Sequence, residues 1–124
     1  MEERNGQPKY DLEERTFQFA RRARQFVRRA PKTLSNYEDS RQLIRASGSV
    51  GANYIEANES LGKKDFLLHV RISCQEAKES RYWLQLLDLN GSPTGELELE
   101  RAALVKEATE LVRIFASIVR NRRD

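Results

Sequence analysis

The sequence of 124 residues is poor in the residues that interrupt helices or cross-link a chain. It contains three prolines, six glycines, one cysteine and one histidine. A single cysteine cannot form an internal disulfide. A single histidine excludes a di-iron helix bundle, which needs a Glu-x-x-His motif on each of two helices. No stretch is apolar for long enough to be a signal peptide or a membrane span, so we expect a protein of the reducing cytoplasm with no membrane partner.

What the sequence does contain is charge and helical periodicity. Hydrophobic residues make up 39% and charged residues 33%, the balance of a helical protein with a charged outer surface. The length fits one domain. Residues 1–9 have no periodic apolar positions and are expected to be a loose tail, which leaves residues 10–124 as a single domain.

Apolar spacing predicts four amphipathic helices and no strand. Asp11 is the expected start of the first helix and Pro31 its end, while Ser35 or Asn36 is the expected cap of the second. The four expected helices cover approximately residues 11–30, 35–61, 63–90 and 96–120. Because short connections force neighbouring helices to run antiparallel, the sequence predicts an all-α, up-down-up-down four-helix bundle.

Two features of the predicted helices indicate close packing. Gly48 and Gly51 lie inside the second helix, where each costs roughly 1 kcal/mol relative to alanine, so we expect another backbone to approach there. The third helix carries a heptad seam that is large at both ends and small in the middle. Its members are Phe66, Val70, Ser73, Ala77, Ser80, Leu84 and Leu87.

The first helix concentrates basic charge, with no acidic residue between positions 15 and 32. Helical geometry predicts one row of arginines opposite the core and a second row along one flank. Arginine suits phosphate oxygens, so these side chains are candidate contacts to a nucleic-acid backbone, although a solvated surface or pairing with acids of a neighbouring subunit is about equally consistent with the pattern. The candidates are Arg21, Arg24 and Arg28 in the outer row, Arg15, Arg22 and Arg29 in the flank row, and Lys32 just beyond them.

Phe17 is predicted to point outward beside the outer arginines. An aromatic side chain there has little reason to face water, so we expect it to lie in an oligomer interface; the alternative is a scattered exposed apolar residue.

Two pairs of glutamates on helices two and three admit two interpretations. Glu56 and Glu59 are three residues apart, as are Glu76 and Glu79, so each pair shares a helix face. Facing pairs of this kind chelate magnesium in all-α nucleotide pyrophosphohydrolases. The alternative, which we adopt, is a structural polar layer that fixes helix register. Its expected members are Asn53, Glu56, Glu76 and Glu79.

Several short motifs carry a family resemblance. They are residues 49–54 (SVGANY), 64–66 (KDF), 76–80 (EAKES) and 82–87 (YWLQLL). Through them, residues 10–121 resemble the four-helix bundle proteins first found encoded by intervening sequences in bacterial large-subunit ribosomal RNA genes. Many members continue the first motif as NIAEG, where this chain has NYIEAN, so it resembles a subgroup.

The resemblance implies a homopentamer without established enzymatic activity. The chain is more distantly similar to the accessory protein of diversity-generating retroelements, which binds nucleic acid and partners a reverse transcriptase. We therefore expect an oligomer that binds RNA or DNA through the first helix, with a protein partner such as a reverse transcriptase, and with no catalytic residue, metal or cofactor. A pure interaction scaffold and a magnesium-dependent pyrophosphohydrolase are the alternatives.

Overall fold

A computed structural model describes residues 8–92 and 94–122 as four helices joined by short connections. The helices are α1 (Pro8–Arg29), α2 (Leu34–Asn58), α3 (Lys63–Leu86) and α4 (Glu96–Arg122). α1 packs on α2 and α4, and α3 also packs on α2 and α4, whereas the backbones of the diagonal pairs, α1 with α3 and α2 with α4, lie too far apart to pack directly. This arrangement confirms the antiparallel four-helix bundle.

α1 begins earlier than its sequence signals suggest. Pro8 and Lys9, assigned above to the tail, belong to the helix. Proline suits the first helical position because its fixed φ is compatible with a helix and its missing N–H has no intrahelical partner there. Residues 1–7 of the expected tail lie outside the described residues. α1 ends at Arg29, two residues before Pro31, as expected.

The cap of α2 is Thr33, and the assignment of Ser35 or Asn36 was wrong. Thr33 is extended, and its hydroxyl accepts a hydrogen bond from the backbone N–H of Asn36. Asn36 itself is buried and serves another contact. Its amide donates to the carbonyls of Pro31 and Asp88, and its Oδ1 accepts from the backbone N–H of Asp88, at distances of 2.8–3.0 Å. It therefore ties the connection before α2 to the end of α3.

α3 ends at Leu86, four residues before the expected end. Leu87 has ψ 137°, which is incompatible with helix, and Leu87 and Leu89 are both buried in the core. Arg101 of α4 donates hydrogen bonds to the carbonyls of Leu84, Gln85 and Leu87, which satisfies acceptors that the helix end leaves open. Burial of two leucines and an arginine cap from another helix decided this boundary.

The core consists of the apolar stripes predicted for all four helices. Phe19, Phe26 and Phe115 are its largest fully buried side chains. The heptad seam of α3 is buried along its length, with Phe66 partly buried at one end. Within the seam, Ser73 donates a 2.9 Å hydrogen bond to the carbonyl of Val50 on α2, so its buried hydroxyl is satisfied.

The two glycines of α2 face α1 and leave room for different groups. A Cβ added to Gly51 would lie 2.8 Å from Oγ1 and 3.2 Å from Cβ of Thr16, a buried residue of α1. A Cβ added to Gly48 would lie 3.3 Å from the guanidinium of Arg24. The close approach inferred from the glycines is confirmed at Gly51, whereas Gly48 makes room for a flexible side chain.

Candidate nucleic-acid interface

The flank row of α1 arginines pairs with acids of α4 in the same chain. Each of its three members meets at least one glutamate across the α1–α4 seam, and Arg15 also lies 4.0 Å from Glu110. The pairs are Arg15 with Glu107 at 2.7 Å, Arg22 with Glu100 at 3.5 Å, and Arg29 with Glu96 at 2.9 Å. Because α1 and α4 run antiparallel, the arginine numbers rise as the glutamate numbers fall. The charge of these three arginines is balanced by glutamates of the same chain.

Arg24 also departs from its predicted position. It was placed opposite the core, but its guanidinium donates to the carbonyl of Ala20 on α1 and to that of Ile44 on α2. The missing side chain of Gly48 leaves the space that the guanidinium occupies. A long side chain can cross to a neighbouring helix in this way, which angular position alone does not reveal.

Lys32 lies exposed just beyond the end of α1. Its ammonium donates to the carbonyls of Val27, Arg28 and Ala30, at distances of 2.9–3.4 Å. These carbonyls lie at the negative end of the helix, where a cation is favourable. Lys32 therefore caps α1.

Arg21 and Arg28 are the exposed α1 arginines that have no acidic partner among the described residues. Neither makes an ion pair with any residue in the described ranges 12–92 and 94–122. The Arg21 guanidinium lies 6.0 Å from the centre of the Phe17 ring. The basic outer face of α1 thus consists of Arg21 and Arg28, with Lys32 at its end.

Phe17 is 56% exposed, beside a groove between α1 and α2. The groove has a volume of about 410 Å³ and an apolar floor that includes Ala20 and Ala52. Ile55 of α2, which is 42% exposed, lies on its other side. The outward position predicted for Phe17 is therefore correct, and the groove extends the apolar surface onto α2.

A second basic surface lies between α3 and α4, and two of its cations, Arg71 and Lys78, were not predicted to belong to such a surface. Arg71 and Lys78 of α3 and Arg120 of α4 line a groove of about 420 Å³. All three side chains are exposed, no acidic residue lines the groove, and none of the three cations pairs with an acid in the described chain. The sequence signal was the spacing of seven between Arg71 and Lys78, which places both on one flank of the heptad seam.

The floor of this groove is apolar and uncharged. It is formed by Cys74, Ala116 and Val119. Burial raises the pKa of the Cys74 thiol, and the nearby cations Lys78 and Arg81 only partly oppose that effect. The thiol is therefore protonated at neutral pH and adds no negative charge beneath the cations.

The end of α4 lies beside the start of α3, as expected, and an arginine there contacts an aromatic ring. In an up-down bundle the end of helix four lies beside the start of helix three, so the sequence predicts a second basic cluster there. Its expected members are Arg120, Arg122, Arg123, Lys63 and Lys64. Arg122 lies 5.0 Å from the centre of the Phe66 ring, a cation–π distance. Arg123, which was expected nearby, lies outside the described residues.

Three of the four residues assigned to a polar layer lie in two separate clusters. Arg45 of α2 reaches Glu76 at 3.5 Å and Glu79 at 3.0 Å on α3. Asn53 bonds to Ser49 and lies 3.3 Å from Nδ1 of His69. Both clusters connect α2 with α3.

Glu56 was wrongly included in that layer, because it is exposed near the end of α2. Asn53 of α2 lies opposite His69 of α3, and the two helices run antiparallel. Glu56, three residues beyond Asn53, therefore lies opposite the position three residues before His69. That position is ten residues, or roughly 15 Å of helix, from Glu76. The two acid pairs therefore do not face one another. Within residues 12–92 and 94–122, no three acidic, histidine or cysteine side chains converge in an arrangement suited to a metal ion.

The fold and these surfaces define an antiparallel four-helix bundle with basic faces. The chain belongs to the 23S rRNA-intervening sequence protein family, whose model matches residues 9–116. It is similar to a protein of unknown function from the S23 ribosomal protein family of Bacteroides thetaiotaomicron, whose crystal structure was determined at 1.70 Å. The two are 28% identical with a TM-score of 0.70, over 87% of this chain and 97% of the other. No protein with a curated description matches the chain.

None of the helices in the described part of the chain is both long enough and apolar enough to span a bilayer.

Proposed function

We propose that this chain is a non-enzymatic, self-associating protein that binds the backbone of RNA or DNA through the outer face of α1. The observation that carries the proposal is the exposure of Arg21 and Arg28, which have no acid partner in the described chain, with Lys32 at the end of the same helix. Arginine forks match phosphate oxygens in geometry and charge.

Self-association gives this small basic face its strength. Two or three phosphate contacts bind weakly, but copies repeated in one assembly add their contacts through high effective concentration. Phe17 and Ile55 expose apolar surface around the α1–α2 groove, and a second copy of this chain is the proposed occupant. The family resemblance implies a pentamer. Contacts to phosphate do not read bases, so we expect little sequence preference.

The test is fluorescence anisotropy of a labelled single-stranded RNA with the purified chain at several salt concentrations. Binding by the unmodified chain is expected to weaken with salt, with a slope of about −0.7 in log–log form per phosphate contact. The double variant Arg21→Gln/Arg28→Gln is expected to lose at least about tenfold in affinity.

The double variant Arg22→Gln/Arg29→Gln is the matched control, because it removes the same charge from arginines that already have carboxylate partners. It is expected to bind within about twofold of the unmodified chain. Equal losses in the two double variants would contradict a specific role of the outer face. No binding at low salt would overturn the proposal.

A pure interaction scaffold is the competing function, and the contact between Arg21 and Phe17 favours it. If the outer arginines serve contacts between copies, Arg21→Glu/Arg28→Glu shrinks the assembly measured by light scattering. If they bind nucleic acid, the same variant keeps its assembly size and loses RNA.

A further inference from the structure

We propose that the groove between α3 and α4 is a second binding site for the phosphodiester backbone of single-stranded nucleic acid. It lies on different helices from the α1 face, and its ligand class rests on the function proposed above. The argument starts from the three cations that line it, Arg71, Lys78 and Arg120.

The charge distribution favours an anionic occupant. Three cations surround one groove, and no carboxylate of residues 12–92 or 94–122 lines it. The flank arginines of α1 show that the same bundle neutralises cations wherever an acid faces them. Cations gathered around a shared cavity repel one another, and a bound anion relieves that repulsion.

The length of the groove favours a polymer over a small anion. Arg71 and Lys78 are seven residues apart on α3, which separates them by roughly 10 Å along the helix axis. Arg120 approaches from α4, on the other side of the groove. A chain with phosphates at regular intervals contacts both ends at once, whereas one inorganic phosphate contacts one end. The uncharged floor of Cys74, Ala116 and Val119 can face sugar edges without repelling them.

An aromatic residue continues the line of cations and distinguishes a nucleic acid from an acidic peptide. Tyr82 lies one turn beyond Lys78, is 58% exposed, and makes an edge contact with Trp83 at a ring separation of 5.0 Å. Exposed aromatic rings stack with unpaired bases regardless of sequence. A basic groove with such a ring one helical turn beyond Lys78 fits a single strand.

The first experiment compares Lys78→Gln and Arg120→Gln with Arg41→Gln in the salt-dependent RNA anisotropy assay. Arg41 is an exposed cation on α2, a helix that contributes no residue to the lining of the groove, so it controls for net charge. Each groove variant is expected to lose about fivefold in affinity and to flatten the salt slope by about 0.7. Tyr82→Ala is expected to lose about tenfold with an unchanged slope. Arg41→Gln is expected to match the unmodified chain.

The outcomes separate this site from the α1 face. If Arg21→Gln/Arg28→Gln loses RNA while the groove variants behave like Arg41→Gln, the groove proposal is overturned and the proposed function stands. Loss in the groove variants alone assigns the RNA site to the groove and overturns the role of α1. If the unmodified chain binds no RNA, both fail together. A change of assembly size in the groove variants would identify a contact between copies and overturn the site.

The second experiment needs no substitution, because Cys74 lies in the floor of the groove. Saturating single-stranded RNA is expected to slow alkylation of Cys74 by iodoacetamide at least about threefold, since the strand covers the thiol. An unchanged rate with RNA bound overturns the site. Poly-glutamate of equal charge serves as the competitor. If it displaces RNA as well as unlabelled RNA does, the groove binds any polyanion and the assignment to nucleic acid is overturned.

Discussion

α4 meets its two neighbours at contrasting edges. Toward α1 it presents glutamates, and each flank arginine of α1 finds one of them. Toward α3 it presents Ala116, Val119 and Arg120. The groove there is lined by cations, and no carboxylate of the described residues lines it. α1 has the most arginines, but most of them are paired with glutamates or with backbone carbonyls. α3 and α4 each have fewer arginines, yet three of their cations surround one groove. Charge on a helix becomes a binding surface only where the facing helix leaves it unpaired.

The variant with the largest expected effect on stability tests whether close packing of α1 on α2 holds α1 where its arginines meet the glutamates of α4. Gly51→Ala places a methyl group 2.8 Å from Oγ1 of buried Thr16 and pushes α1 away from α2. Overpacking of this kind costs about 1–3 kcal/mol, and the helix propensity of alanine returns up to about 1 kcal/mol. We expect a net loss of about 1–2 kcal/mol in the free energy of urea unfolding.

Gly48→Ala is the matched control for that variant, because the group it meets is the flexible end of Arg24. It is expected to be neutral or to stabilise the protein by up to about 1 kcal/mol. If both variants destabilise equally, close approach at Gly51 is not what positions α1.

The next effect sharpens the acid-paired side of the comparison. Arg15 and Glu107 form a two-pronged, half-buried pair, with side chains 31% and 19% exposed. We expect Arg15→Gln to cost about 1 kcal/mol, because solvent screens the pair only in part and Glu107 is left without its strongest partner. A double-mutant cycle with Glu107→Gln, measured by urea unfolding, isolates the coupling. A coupling near zero would show that the pair does not contribute to stability.

Smaller effects are expected where the pairs are more exposed, and these variants can break the comparison. Arg29 and Glu96 are 52% and 70% exposed, so Arg29→Gln is expected to change the unfolding free energy by at most about 0.3 kcal/mol, and less at high salt. Lys78→Gln removes a cation without a carboxylate partner and is expected to be neutral, or slightly stabilising at low salt. Destabilisation by Lys78→Gln that matches Arg15→Gln would mean that the groove cations are structural.

The smallest effect concerns the thiol between the groove cations. Because burial raises the pKa of Cys74, its alkylation rate is expected to rise with pH at a higher midpoint in the folded than in the urea-unfolded chain. A raised folded pKa means that this thiol contributes stability at lower pH, and that contribution is lost as pH rises through the folded pKa. Lys78→Gln removes a charge that lowers the pKa, so it is expected to move the midpoint further up. Arg15→Gln is the control and leaves the midpoint unchanged.

The sequence predicted the helices well because their apolar positions repeat at helical spacing, and its errors have identifiable causes. The cap of α2 was misplaced because Ser35, Asn36 and Thr33 are all competent caps, and only the burial of Asn36 against Asp88 decides among them. The end of α3 was misplaced because Leu87 and Leu89 are as apolar as helix residues, although they enter the core from an extended connection. Both depend on contacts between residues far apart in the chain.

The candidate surfaces show the same division. The sequence by itself determined the class of fold, the core stripes, the close approach at Gly51 and the exposure of Phe17, since each follows from local spacing along one helix. It could not decide which cations are free, because Arg15 and Glu107 are 92 residues apart and meet only when α1 packs beside α4. The tertiary structure alone decided that Arg21, Arg28 and the α3–α4 groove keep their charge, because the partner of a charged side chain is set by the register of the facing helix.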